Sequence, residues 1–168
     1  KPGMTVLDLC AGAGGKTLAL AADMANQGRL YASDTDKRRL GNLAPRCAVS
    51  GVTNVEQILL DPGKEREKLG DVIGKCNVVL VDAPCSGSGT WRRNPETRWR
   101  LTPDRLERLV QTQKNLLQLA AEMVAPGGHL VYAVCSLLDA EGRGQVDEFL
   151  STHSGWTAQS PDGLPGIA

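Results

Sequence analysis

Thr5-Val6-Leu7-Asp8-Leu9-Cys10-Ala11-Gly12-Ala13-Gly14-Gly15-Lys16-Thr17 joins a short apolar run to a glycine-rich turn, and the turn opens into an Ala- and Leu-rich helix, Lys16 to Ala25. That helix is expected to stop near Gly28. Outward from this unit the alternation of strand and helix continues. Arg29 to Ser33 reads as a second strand closing on Asp34. Asp36 to Ser50 follows as a helix that Pro45 should kink or break. Asn54 to Leu60 is a third strand, ending at Asp61. Asn77 to Val81 is a fourth, and its apolar continuity predicts burial on both faces. A long loop, Ala83 to Leu101, precedes Thr102-Pro103-Asp104, which opens a helix with Thr at the cap and Pro at the first position. Leu106, Leu109, Val110, Leu117 and Val124 fall on one face of it. Pro126-Gly127-Gly128 ends that segment, His129 to Ala133 is a fifth strand, and Asp139 to Leu150 is a last helix. The pattern is that of an α/β domain, with a mostly parallel sheet and helices on both faces.

The composition agrees with one globular domain. The chain has 168 residues, 41% of them hydrophobic and 23% charged, with 19 basic against 19 acidic side chains. Such a length buries a sizeable core, and such a balance excludes disordered and fibrous classes. No apolar run approaches the ~18 residues of a membrane span. No signal peptide or targeting segment is visible, and a chain that opens on a strand reads as an excised domain. Residues 1–155 are expected to form the catalytic unit, with a loop-like tail over 156–168. The five cysteines are scattered, with no C-x-x-C pair. That argues against a disulfide scaffold or a zinc site, and for a reducing cytoplasm. A cytoplasmic monomer without metal or membrane partner is the expectation.

In parallel sheets ligands bind beyond the carboxyl ends of strands. The glycine loop admits several readings. A Walker A loop requires a glycine at Cys10, and a dinucleotide fingerprint requires one at Thr17, so both patterns fail. A looser nucleoside-cofactor loop remains, as does a tight turn that needs glycine for geometry alone. Asp34 lies 22 positions after Gly12, where an acid can accept hydrogen bonds from ribose hydroxyls; a helix cap is the alternative. Asp61 is placed to meet an adenine amino group, or else forms a turn before Pro62. Together these features favour an adenosine-bearing cofactor. The fourth and fifth strands run into Asp82-Ala83-Pro84-Cys85 and Val134-Cys135-Ser136, which would bring two thiols into one cleft. Cys47 and Cys76 have no reactive neighbours in sequence and read as small core residues.

Asp8-Leu9-Cys10-Ala11-Gly12-Ala13-Gly14-Gly15-Lys16-Thr17, Asp82-Ala83-Pro84-Cys85-Ser86-Gly87-Ser88-Gly89-Thr90 and Tyr132-Ala133-Val134-Cys135-Ser136 resemble the signature segments of the Sun (Fmu) type of RNA cytosine-5 methyltransferases. That group includes bacterial small-subunit ribosomal RNA enzymes and related tRNA enzymes. The resemblance spans about residues 1–150. It implies a Rossmann-like class I methyltransferase fold and S-adenosylmethionine as cofactor. It implies that Cys10, Ala11, Gly12, Ala13, Gly14, Gly15, Lys16, Asp34, Asp61 and Asp82 line the cofactor pocket. It further implies that Cys135 is the nucleophile and that Cys85 assists product release. This chain departs from the family at Gly12-Ala13, where Ala-Pro is usual, and at Val134, where Thr is usual. The family's N-terminal RNA-binding extension and its closing two-strand hairpin have no clear equivalent, the latter after Trp156.

The chemistry of such a site can be argued from the residues. A thiolate added to C6 of cytosine activates C5 toward a methyl sulfonium. Asp82 is suited to hold the N3 edge, and either Lys16 or the positive sulfonium to assist Cys135. From Trp91 to Arg108 there are six Arg against three acids. Arg92, Arg93, Arg98 and Trp99 are the expected RNA contacts, ribosomal RNA first among them, by phosphate pairing and base stacking. The competing arrangement is a solvated loop with Trp99 packed into the core. A nonenzymatic RNA-binding module on the same fold is the other function class, and an NTPase is weakened by the missing Walker glycine.

Overall fold

The computed structural model describes residues 1–159. Five parallel strands, β1 (Thr5–Asp8), β2 (Arg29–Asp34), β3 (Val55–Leu59), β4 (Cys76–Asp82) and β5 (Val124–Ala133), form one sheet in the order β3-β2-β1-β4-β5. The chain winds outward from β1 to β3 and then returns to β4 on the other side of β1. The strand order therefore reverses between β1 and β4, the place where such sheets open a crevice at their carboxyl ends.

Alternation along the strands decides which helix covers which face. Val6 and Leu30 turn to one side and pack with Ala21 and Met24, around the helix α1 (Gly15–Asp23). Ala32, on the same side, meets Leu40, Leu43 and Cys47 from α2 (Lys37–Gly41) and α3 (Leu43–Ser50). Leu7, Tyr31, Val79 and Val81 turn to the other side. There they form the main core with Leu69, Val72 and Cys76, and with Ala120 and Met123 of α5 (Pro103–Met123). Between β3 and β4 on that side lie a single turn, α4 (Glu65–Lys68), and the 3₁₀ turn Gly70–Val72, neither anticipated from the sequence. Cys47 and Cys76 are buried core residues, as expected.

Several boundaries differ from expectation for identifiable reasons. The Asp36–Ser50 helix breaks at Asn42, before Pro45. Pro45 then sits in the first turn of α3, where its missing N–H has no helical partner to lose. Pro126-Gly127-Gly128 does not separate α5 from the strand; β5 already begins at Val124. The segment is taken up where the pairing shifts register, between Cys76↔Val124 and Val78↔His129. Proline is tolerated there because β5 is at the edge of the sheet. Leu106, Leu109 and Val110 are only half-buried, and the inward face of α5 runs through Gln113, Leu117, Ala120 and Met123. The last helix, α6 (Arg143–Thr152), starts four residues later than expected, after a turn that uses Asp139 and Glu141. The Ala83–Leu101 loop contains two 3₁₀ turns, Ser88–Thr90 and Pro95–Arg100. Of the expected tail, Trp156 packs edge-on to Phe149 with ring centroids 5.4 Å apart, and residues 160–168 lie outside the described residues.

This burial map makes a direct prediction. Leu7→Ala, at a fully buried position in the central strand, should lower stability by about 2–5 kcal/mol. Val49→Ala, on the outer face of α3 and 90% exposed, should stay within about 0.5 kcal/mol. Urea denaturation midpoints of the two variants check the contrast.

Candidate active site

The strand ends converge as the topology requires. Beyond β1 the chain stays tied to its neighbours: Leu9 N–H donates to the Leu80 carbonyl and Ala11 N–H to that of Ser33, both at 2.9 Å. The glycine loop then turns into α1 through Gly12 (φ 55°) and Gly14 (φ 83°), backbone conformations that β-carbons disfavour. A Cβ at Gly14 would also lie 2.2 Å from Leu43 Cδ1, so the loop rests directly on α3. Arg46 of α3 braces it from outside, donating to the Ala13 carbonyl at 2.5 Å. Gly14 caps α1 without a side-chain hydrogen bond, which leaves the positive end of that helix facing the crevice.

Asp34 at the end of β2 is buried. Its Oδ2 accepts from Gly12 N–H at 2.7 Å, and its Oδ1 from Asp36 N–H at 2.8 Å. Asp34 is therefore already part of the loop's scaffold, while the cap expected of an acid here is made by Asp36, which accepts from Arg38 and Arg39 N–H. Asp61 is exposed and pairs with Lys68 at 3.2 Å. Lys16, on the first turn of α1, reaches across to Asp82 at the end of β4, with Nζ 2.6 Å from Oδ2. Cys10 is held inert: burial first, then the nearby charges of Asp34, Asp8 and Asp82, push its thiol up to about 12.

The two cysteine loops meet. β4 and β5 are neighbours, Ala83 N–H still donates to the Ala133 carbonyl at 3.0 Å, and the Sγ atoms of Cys85 and Cys135 stand 3.3 Å apart. They are not equivalent. Cys135 is exposed. Cys85 is half-buried, and burial together with the hydrogen bond it shares with Cys135 pushes its thiol up to about 11. Arg92, Arg93 and Arg98 are exposed on the segment that follows the Cys85 loop. Trp99 is 76% exposed with the Arg98 guanidinium 4.3 Å over its ring, so it is not a core residue. Among the described residues no group of His, Cys, Asp and Glu is arranged to hold a metal ion.

Three buried polar side chains near the glycine and cysteine loops escaped the sequence reading. Asp8, an acid inside an apolar strand, is fully buried; Oδ2 accepts from Thr17 Oγ1 at 2.7 Å and Oδ1 has no partner. Glu141 and Gln113 are also fully buried, and they bind the residues flanking both cysteines. For Asp8 and Gln113 the available signal was a polar residue where period and neighbours call for an apolar one; Glu141, in a turn, carries no such signal.

This is a parallel α/β fold that gathers a glycine loop, three carboxylates and two thiols at the carboxyl ends of its strands. The chain belongs to the family described as 16S rRNA methyltransferase RsmB/F, whose model matches residues 1–162. It is 40% identical over 163 residues to the probable ribosomal RNA small subunit methyltransferase B of Synechocystis, covering 95% of this chain and 35% of that protein. The crystal structure of PH0851 superposes with a TM-score of 0.86 at 42% identity, over 91% of this chain and 34% of the other. NSun6 from Pyrococcus horikoshii with SFG superposes at 0.76 and 29% identity, over 89% and 37%. The chain thus spans about a third of the length of the curated relatives it matches.

Asp8 gives this site a pH signature. Burial, opposed by the Thr17 hydroxyl and reinforced by the charge of Asp82, raises its carboxyl from 3.8 to about 6. The folded protein therefore binds this proton more tightly than the unfolded chain, so stability should fall as pH rises from about 4 to 6 and level off above. Relative to Asp8→Asn, which lacks the titration, the wild type should lose roughly 3 kcal/mol across that window. Urea midpoints measured from pH 4 to 8 test this; parallel curves for the two proteins would refute it.

Proposed function

We propose that residues 1–155 are the catalytic core of an S-adenosylmethionine-dependent methyltransferase that modifies C5 of a cytosine in ribosomal RNA through a cysteine adduct at C6. The observation that carries this reading is the pair of thiols 3.3 Å apart beside the Lys16–Asp82 pair at 2.6 Å. Both sit where the glycine loop opens the crevice.

The cofactor fits the residues present. The uncapped start of α1 suits a carboxylate. The buried, unpartnered Oδ1 of Asp8 and the carboxylates of Asp34 and Asp82 supply negative charge for an ammonium, ribose hydroxyls and a sulfonium. Asp61, exposed and paired with Lys68 at 3.2 Å, would offer an adenine amino group an acceptor once that pair opens. SFG, the S-adenosylmethionine analogue with the related NSun6 structure, supports the same class of ligand. When bound, the cofactor supplies a methyl group on a positively charged sulfur.

The protein's part is to make C5 accept that methyl. Cys135, the exposed thiol, gives up its proton to solvent and adds as thiolate to C6, and electron density moves to C5 and to the N3 side of the ring. Lys16, held by Asp82, balances the charge that gathers there, while the Asp82 carboxylate accepts from the N4 amino group. After methyl transfer the C5 proton departs to a base, the electrons of that bond restore the C5–C6 double bond, and Sγ leaves C6 with its bonding pair. Cys85, whose Sγ stands 3.3 Å from that of Cys135, is the group beside that bond; as thiolate it takes the C5 proton and becomes the thiol. Arg92, Arg93, Arg98 and Trp99 offer phosphate and stacking contacts at the mouth of the cleft for an RNA whose target base has been turned out of its stack.

The two cysteines should fail differently. With methyl-labelled S-adenosylmethionine and a small-subunit ribosomal RNA transcript, Cys135→Ala should give neither product nor adduct. Cys85→Ala should accumulate a methylated protein–RNA adduct that survives denaturation. The reverse pattern exchanges the roles, and no adduct from either variant removes the covalent mechanism. Separately, Asp34→Ala should weaken S-adenosylhomocysteine binding by at least the ~1.5–3 kcal/mol of a charged hydrogen bond, because it also frees the Gly12 amide. Calorimetric titration measures that loss, and an unchanged affinity would leave Asp34 a purely structural residue.

A further inference from the structure

Sheet pairing holds the two thiol loops only as far as Ala83 and Ala133; beyond it, a backbone bond from Gly89 N–H to the Cys135 carbonyl at 3.0 Å is one tie between them. Serine hydroxyls add others, and at their centre lies a fully buried carboxylate that the proposed chemistry leaves unused. Glu141 Oε1 accepts from Ser86 N–H at 2.8 Å and from Gln113 Nε2 at 3.0 Å, while Oε2 accepts from Ser136 Oγ at 2.6 Å. The same Gln113 amide donates to the Pro84 carbonyl at 2.9 Å. Ser86 and Pro84 are the neighbours of Cys85, and Ser136 is the neighbour of Cys135. One carboxylate, with the amide beside it, therefore grips the chain on both sides of one thiol and immediately after the other.

We infer that Glu141 is the positioning residue that sets the separation of the Cys85 and Cys135 sulfurs. A buried carboxylate with several directional donors fixes those donors relative to one another, because any loop that slides leaves an uncompensated charge. The serine hydroxyls extend the grip: Ser86 Oγ and Ser88 Oγ lie 3.2 and 3.1 Å from Ser136 Oγ, and Ser88 Oγ accepts from Leu137 N–H at 2.8 Å. Tyr132 anchors the clamp itself by donating to the Glu141 carbonyl at 2.7 Å. Burial alone would raise the Glu141 carboxyl, but the hydrogen bonds from Ser136, Ser86 and Gln113 outweigh it and hold the group below its ordinary value. The carboxylate is thus charged when it grips. Gln113 holds its inward position on α5, otherwise lined by Leu117, Ala120 and Met123, for the same reason. The catalytic meaning of the clamp rests on the function proposed above; the geometric claim does not.

The thiols themselves serve as the ruler. Diamide, an azo oxidant, takes up the two thiol hydrogens as the S–S bond forms, and peptide mapping after acid quench counts the Cys85–Cys135 disulfide. The wild-type protein should form it readily. Glu141→Gln, of equal size, should form it about 10-fold more slowly under conditions where it remains folded, since misplacement near 1 Å is worth factors of this order or more. Ser136→Ala and Gln113→Met, which release single arms, should show smaller effects of the same sign, and they decide the matter if Glu141→Gln does not fold. An unchanged rate in the folded variants overturns the inference, as does a wild-type protein that forms no such disulfide. S-adenosylhomocysteine titration of the same samples separates the two claims. A wild type that fails to bind it counts against the proposed function and leaves the clamp standing.

Discussion

β4 is the strand on which the site depends. Val79, Leu80 and Val81 are buried in sequence, so β4 cannot slip by one residue without exchanging its two packed faces. It pairs with β1 on one side and with β5 on the other. The first pairing fixes the height of the glycine loop and brings Lys16 to Asp82. The second brings Cys135 to Cys85. Both halves of the chemistry are therefore measured from one strand, and Asp82, its last residue, sits where they join.

Much of this was legible in the sequence because the signals were periodic or local. The apolar runs at Thr5–Leu9 and Val78–Val81 specify buried parallel strands, and Thr102-Pro103 specifies the start of α5 to the residue. The acids and cysteines at strand ends were found because a parallel sheet gathers its strand ends at one edge. What escaped is long-range and polar. Glu141 lies in a turn and Gln113 in the middle of a helix, and nothing local reveals that they meet across 28 residues. Pro45 marked a real break, displaced by three residues to Asn42, because a helix first turn accommodates proline. Pro126 misled for the opposite reason: its local rule is strong, but an edge-strand register shift satisfies it.

Charge is distributed unevenly across the crevice. Asp8, Asp34 and Asp82 converge on it, and each raises the Cys10 thiol through its field. Lys16 enters from the loop and pairs with Asp82, while Arg39 packs beneath Gly12, where an added Cβ would lie 2.5 Å from its guanidinium. The acidic interior suits a cationic methyl donor, and the arginines beyond the Cys85 loop suit a polyanion. A formally neutral chain thus presents two faces of opposite sign a short distance apart.

The unequal burial of the cysteines has a consequence for the protein's chemical behaviour outside its own reaction. Cys47 and Cys76 are sealed in the core, Cys10 and Cys85 are held as thiols by their surroundings, and Cys135 alone is open to solvent. A small alkylating reagent therefore meets five thiols, of which Cys135 is the exposed one. Modification at Cys47 and Cys76 becomes a readout of the folded state, because these two react only once the core has come apart.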